Sequence, residues 1–140
     1  LRPLVLDANI LIRAVLGSRV RRILREHYES TAFHLPEPAF AEASRHIGAI
    51  VAKHGLNQET SSRHLKASAA FVDVVPLPDY AAYEKDALRR VAFRDPDDWP
   101  ALATALLLKA PIWTEDRDFF GTGVATWTTS NVEVYLRGED

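Results

Sequence analysis

The 140-residue chain contains no cysteine and no methionine. Without cysteine there is no disulfide, thiolate zinc site, iron–sulfur cluster or cysteine nucleophile. Long apolar runs are also missing. None approaches the ~20 residues that span a bilayer, so no membrane partner is expected. The first residues show no charged leader with a cleavage site. With the absence of thiols, this leads to the expectation of a cytoplasmic protein. An initiator methionine, lost or outside this numbering, is expected before Leu1. No excess of either charge exists: 17 Lys and Arg stand against 19 Asp and Glu, a formal net charge of −2. Near-neutrality by itself names no partner. Glycine-rich phosphate loops, a G-x-S-x-G elbow and an H-E-x-x-H pair are all absent. The five histidines, His27, His34, His46, His54 and His64, are scattered and read as surface or packing residues. There is no repeat, low-complexity tract or flexible linker, so the chain reads as one domain over 1–140. That length buries about two-thirds of the unfolded surface, enough for a core without staples.

What is present is a succession of apolar runs and amphipathic stretches. Pro3-Leu4-Val5-Leu6, stopped by Asp7, reads as a buried parallel strand. Helices are expected over Asn9–Leu16, ended by Gly17, and over Arg19–Glu29. Phe33–Leu35 is a short strand or the lead-in to a helix over Ala39–Lys53, with Gly55 as its stop. Asn57 is a plausible N-cap for a helix to Ala70. Val72–Leu77 is a strand, and Pro78-Asp79 opens a helix to Val91. Asp97 or Asp98 can cap a helix to Lys109, with Pro100 in its first turn. Its apolar face is Trp99, Leu102, Ala103, Leu106, Leu107 and Ala110. Ile112–Thr114 and Val124–Trp127 are strands. Ser130 and Glu133 form a capping-box pattern for a last short helix. Phe71, Phe93, Phe119 and Phe120 read as core. Strands separated by helices define an α/β domain with a mainly parallel sheet and helices on both faces.

Two strands end alike: Leu4-Val5-Leu6 runs into Asp7, and Ile112-Trp113-Thr114 into Glu115-Asp116. Ligand sites of open α/β sheets lie outside the carboxyl ends of the strands. If the two strands are parallel neighbours, Asp7 and Asp116 converge, and Asp98 at a helix start can reach the same edge. Singly, these residues have ordinary readings. Asp98 alone suits a cap, and Asp7 and Asp116 alone divide evenly between structure and function. Jointly they repel by roughly 4 kcal/mol per close pair at an effective dielectric of about 20. A cation or a proton relieves such a cluster, and hard divalent cations with oxygen ligands suit it. A second charge feature is Arg13, Arg19, Arg21, Arg22 and Arg25, with no acid among them.

Three blocks resemble a PIN domain, most closely the VapC-like toxin ribonucleases. Leu4-Val5-Leu6-Asp7-Ala8-Asn9 is similar to that family's strand and D-x-N opening. Asp95-Pro96-Asp97-Asp98 followed by the Ala/Thr-rich stretch to Ala105 is similar to its D-P-x-D segment and helix. Ile112-Trp113-Thr114-Glu115-Asp116-Arg117-Asp118-Phe119 is similar to its strand ending in T-x-D-x-D-F. The blocks occur in the family's order, and the likeness covers essentially the whole chain.

The resemblance implies a three-layer α/β/α sandwich with a central mainly parallel sheet. It implies an endoribonuclease that hydrolyses RNA phosphodiester bonds with Mg²⁺ or Mn²⁺, the toxin of a toxin–antitoxin pair. The family's acidic quartet falls on Asp7, Glu42, Asp98 and Asp116, with Asp7, Asp98 and Asp116 as metal ligands. Asp118 matches a fifth acid of some members, and Asn9 and Thr114 match polar positions near the metal. The three-residue step from Asp95 favours Asp98 over Asp97. On a helical wheel Glu42 points away from Phe40, Ala43, Ile47 and Val51, so the residues alone read it as solvated, and only the resemblance promotes it. Arg13, Arg19 and Arg22 would contact RNA or a small antitoxin protein, and a homodimer is implied. The alternatives are a PIN-type RNA-processing nuclease without an antitoxin and a degenerate PIN fold acting as a binding module. An aspartyl-nucleophile phosphatase would need a D-x-D opening, and Asn9 holds that second position.

Overall fold

The apolar run at the N-terminus forms the centre of a five-stranded sheet in the computed structural model, which describes residues 1–92 and 94–138. Strand β1 (Arg2–Leu6) lies between β2 (Thr31–Pro36) and β4 (Ile112–Trp113). Beyond them lie β3 (Val72–Val75) and β5 (Thr126–Trp127), in the order β3-β2-β1-β4-β5, and every pairing is parallel. The unbroken apolar character of β1 follows from cover on both faces. Leu4 and Leu6 enter one core with Phe33, Leu35 and Trp113, whereas Val5 enters the other with Val75 and Ile112.

The first core is closed by α1 (Ala8–Leu16), α2 (Arg19–His27), α3 (Glu37–His54), α4 (Gln58–Ala69) and α8 (Val132–Leu136). The second is closed by α5 (Leu77–Tyr80), α6 (Glu84–Arg90) and α7 (Trp99–Leu108). This is the expected α/β/α sandwich. Among the described residues no helix is long and apolar enough to cross a membrane.

The punctuation is mostly as expected. Gly55 ends α3 in the left-handed region at φ 61°, where a Cβ is costly. The Asn57 side chain accepts from the Thr60 N–H at 2.8 Å and caps α4. Phe33–Leu35, open between two readings in the sequence, lies in a strand.

Several expectations are corrected. The helix expected from Pro78 to Val91 is three pieces, α5, a 3₁₀ turn at Ala81–Tyr83, and α6. The break follows Tyr80, which is fully buried against Trp99 at 5.5 Å between ring centroids. Seating that ring in the core fixes where the helix ends. The middle of α7 is buried all round, from Ala101 to Ala105, and not along one stripe, because the sheet and α6 enclose it. No capping box forms before α8. Ser130 Oγ pairs with Thr128 Oγ1 at 2.8 Å, and Asn131 Oδ1 accepts from the Thr128 N–H at 2.9 Å. Phe119 is core, Phe71 is partly buried, and Phe120 is 44% exposed. Phe93 lies outside the described residues.

Candidate active site

The register of the sheet pairs Leu6 with Trp113, so the residues that follow these strands meet. The Asp7 N–H donates to the Trp113 carbonyl at 3.1 Å. Asp7 is 8% exposed and caps α1, with Oδ1 accepting from the Ala8 N–H at 2.8 Å. Its Oδ2 accepts from Asn9 Nδ2 at 2.8 Å and from Thr114 Oγ1 at 2.9 Å. Thr114 Oγ1 in turn accepts from the Asp116 N–H at 2.9 Å, and Asn9 Oδ1 accepts from the Glu115 N–H at 3.2 Å. Asp116 Oδ1 then accepts from the Asp118 N–H at 2.9 Å. A continuous network thus runs from the D-x-N opening to the T-x-D-x-D segment, with fully buried Thr114 at its node.

Burial pushes the Asp7 carboxyl above its ordinary range, against the bonds from Thr114 and Ala8, and the charges of Asp116 and Glu42 push the same way. Asp98 is displaced much further. It precedes α7 but makes no capping bond; Asp95 accepts instead from the Asp97 N–H at 3.0 Å. Asp98 Oδ2 is enclosed and has no hydrogen-bond partner among the described residues. Burial, then Asp116, Asp7, Asp95 and Asp118, push its pKa up to about 8.

Asp7, Glu42, Asp95, Asp97 and Asp98 line one small cavity of about 120 Å³. Glu42 is exposed, away from the core face of Ala43, Ile47 and Val51, as the wheel requires. It lines the cavity as well, because α3 starts directly after β2 at this end of the sheet. Both readings of Glu42 therefore describe the same position. The tightest carboxylate grouping is Asp95, Asp98 and Asp118, whose ligand oxygens lie within 4.8 Å of one another. Asp95 was not among the site residues drawn from the sequence, although the D-P-x-D spacing places it one turn before Asp98.

None of these carboxylates forms an ion pair with a protein cation among the described residues. The contrast is the cluster Glu26, His27 and Glu133, where Arg22 lies 3.7 Å from Glu26 and Arg137 lies 3.2 Å from Glu133. An uncompensated set of hard oxygen donors, one of them enclosed without a donor, fits a divalent cation.

The basic segment divides by its surroundings. Arg13 lines an open groove of about 560 Å³ with Ile12, Leu16 and Glu115, next to the site through the Asn9–Glu115 bond. Arg19 also lines it, and its guanidinium donates to the Thr129 carbonyl at 3.3 Å. Arg21 bonds the Ala14 carbonyl at the end of α1, and Arg22 pairs with Glu26 on the surface.

A model of the PIN domain matches residues 5–137. No curated protein sequence matches the chain. Its fold resembles the crystal structure of PAE2754 from Pyrobaculum aerophilum, at 18% identity, covering 99% of this chain and 91% of that one, with a TM-score of 0.73. It also resembles VapBC2 from Rickettsia felis bound to a DNA fragment from their promoter, at 13% identity, 90% and 98% coverage, and a TM-score of 0.67. A toxin–antitoxin complex from Klebsiella pneumoniae is similar at 21% identity, 89% and 96% coverage, and a TM-score of 0.57. The chain belongs to the PIN domain family. PIN domains are generally nucleases.

Proposed function

We propose that the protein is a metal-dependent endoribonuclease that hydrolyses RNA phosphodiester bonds, and that it is the toxin of a toxin–antitoxin pair. The observation that carries this reading is the gathering of Asp7, Asp98 and Asp116 at the carboxyl edge of the sheet with no ion pair to a protein cation among the described residues. Asp7, Asp98 and Asp116 are assigned to hold Mg²⁺ or Mn²⁺, with Asp95 and Asp118 within reach of Asp98. When bound, such an ion supplies an activated water at neutral pH and charge neutralisation at the leaving oxygen. Thr114 and Asn9 fix the orientation of the Asp7 carboxylate through two hydrogen bonds. Glu42, exposed at the mouth of the cavity, is assigned to orient the attacking water. Arg13, beside the site, is assigned to an RNA phosphate or an antitoxin carboxylate, with Arg19 further along the same groove. Salt then weakens binding by counterion release.

The toxin assignment draws on the fold, which resembles VapBC2 and a toxin–antitoxin complex. A small antitoxin protein, a homodimer and a cytoplasmic location belong to the same proposal. The test is cleavage of a labelled single-stranded RNA. Cleavage with Mg²⁺ or Mn²⁺ that is abolished by EDTA and by Asp7→Asn supports the reading. Cleavage that survives either change overturns the site assignment.

A further inference from the structure

The carboxylate edge is only one end of the sheet. Arg2 opens β1, five residues before Asp7, so at ~3.3 Å per residue it lies about 16 Å away along the strand. At that end is a second open groove of about 530 Å³, lined among others by Arg2, Leu106, Lys109, Val124, Trp127 and Tyr135. Among the described residues no acidic one lines it. The Trp127 and Tyr135 rings lie 5.9 Å apart, and the Arg2 guanidinium sits 4.2 Å over Tyr135 and donates to the Tyr135 carbonyl.

Lys109 lines the same groove and caps the end of α7, its N–H donating to the Ala105 and Leu106 carbonyls. It follows α7 with φ 53°, the one non-glycine residue in the left-handed region among the described residues. Glycine or asparagine is the usual residue there, because a Cβ is strained. Here a lysine occupies the position, lining a groove with no acidic residue among the described ones, and it forms no ion pair among the described residues.

We propose that this groove binds one nucleotide of a single-stranded RNA flank, its base against Trp127 and its phosphate against Lys109, with Arg2 held beside them on the Tyr135 ring. The inference rests on the RNA reading above. Aromatic rings beside cations are how single strands are held without sequence readout. The electrostatic reason is direct. Without a metal the carboxylate edge repels phosphates, so the affinity of the strand comes from cations outside it, Arg13 and Lys109 among them.

The test is binding of a fluorescently labelled single-stranded RNA 12-mer in EDTA, where no metal-dependent cleavage intervenes. Lys109→Asn removes the charge and keeps a residue suited to φ 53°, and Trp127→Phe keeps an aromatic ring. Thermal melting confirms that both variants fold. Lys109→Asn is expected to weaken binding about threefold or more and to reduce the salt slope by about one. RNA is expected to quench tryptophan fluorescence in the parent protein, and Trp127→Phe to lose that quenching. Unchanged affinity and salt slope in Lys109→Asn, or tighter binding of a duplex of the same sequence, overturns the proposal. Asp7-dependent cleavage without any effect of Lys109→Asn removes this groove alone. Binding here without any cleavage removes the nuclease reading alone.

Discussion

Thr114 Oγ1 donates a 2.9 Å hydrogen bond to Asp7 Oδ2 across 107 residues of sequence. The same oxygen accepts from the Asp116 N–H, so one buried hydroxyl sets the position of two of the acids. Thr114→Val keeps the shape and deletes the node. It is expected to destabilise the protein by about 1–3 kcal/mol, because an acceptor and a backbone donor lose their partner. RNA cleavage is expected to fall with it. Urea unfolding and initial cleavage rates are the readouts.

Asp98 makes metal-free stability depend on pH in an unusual direction. Its carboxyl has an ordinary value of 3.8 in the unfolded chain and about 8 in the folded one. The folded state therefore holds the proton more tightly. Its stability contribution is complete below about pH 4 and is lost as pH rises through 8. With solvent screening of a half-buried group, the loss is on the order of 2 kcal/mol. Unfolding in EDTA is expected to need less urea at pH 8.5 than at pH 5, and Asp98→Asn is expected to shrink that difference. Equal midpoints for the parent protein at both pH values would contradict this.

Tyr80 is fully buried, and its hydroxyl has no partner among the described residues. Burial, with Glu37 and Glu84 nearby, pushes its pKa up. Tyr80→Phe removes an unsatisfied polar group without changing the ring that packs on Trp99. A gain of about 1 kcal/mol in unfolding free energy is expected. A loss of stability would show that the hydroxyl has a partner in solution.

The arginines differ in their expected effects on RNA binding. Arg13→Ala, on the groove beside the site, should weaken binding and flatten its salt dependence. Arg22→Ala should leave both nearly unchanged, since Arg22 is exposed and paired with Glu26. Titrations at two salt concentrations distinguish them.

Much of this arrangement is legible in the sequence because it follows from short-range rules. The Leu4–Leu6 run stopped by Asp7 marks a buried strand and a carboxylate at its end. Gly55 and Asn57 mark helix ends for reasons confined to their own backbone. Less legible is whatever packing decides. The 78–91 segment reads as one helix and Leu77 as strand, and only the packing, with Tyr80 seated in the core, ends the strand at Val75 and breaks the helix. Asp98 has the local signature of a cap, yet Asp95 takes that work and leaves an Asp98 oxygen enclosed. Glu42 has a solvated position on its helix, and the cavity it lines depends on where β2 delivers α3.

Mn²⁺ binding tests the central claim most directly, because it reads the carboxylate cluster without relying on an RNA. Electron paramagnetic resonance should show Mn²⁺ bound by the parent protein at pH 7.5, with a melting temperature that rises with metal concentration. Both effects should be lost or greatly reduced in Asp98→Asn. Free Mn²⁺ throughout the titration, or binding that Asp98→Asn leaves intact, would contradict the account.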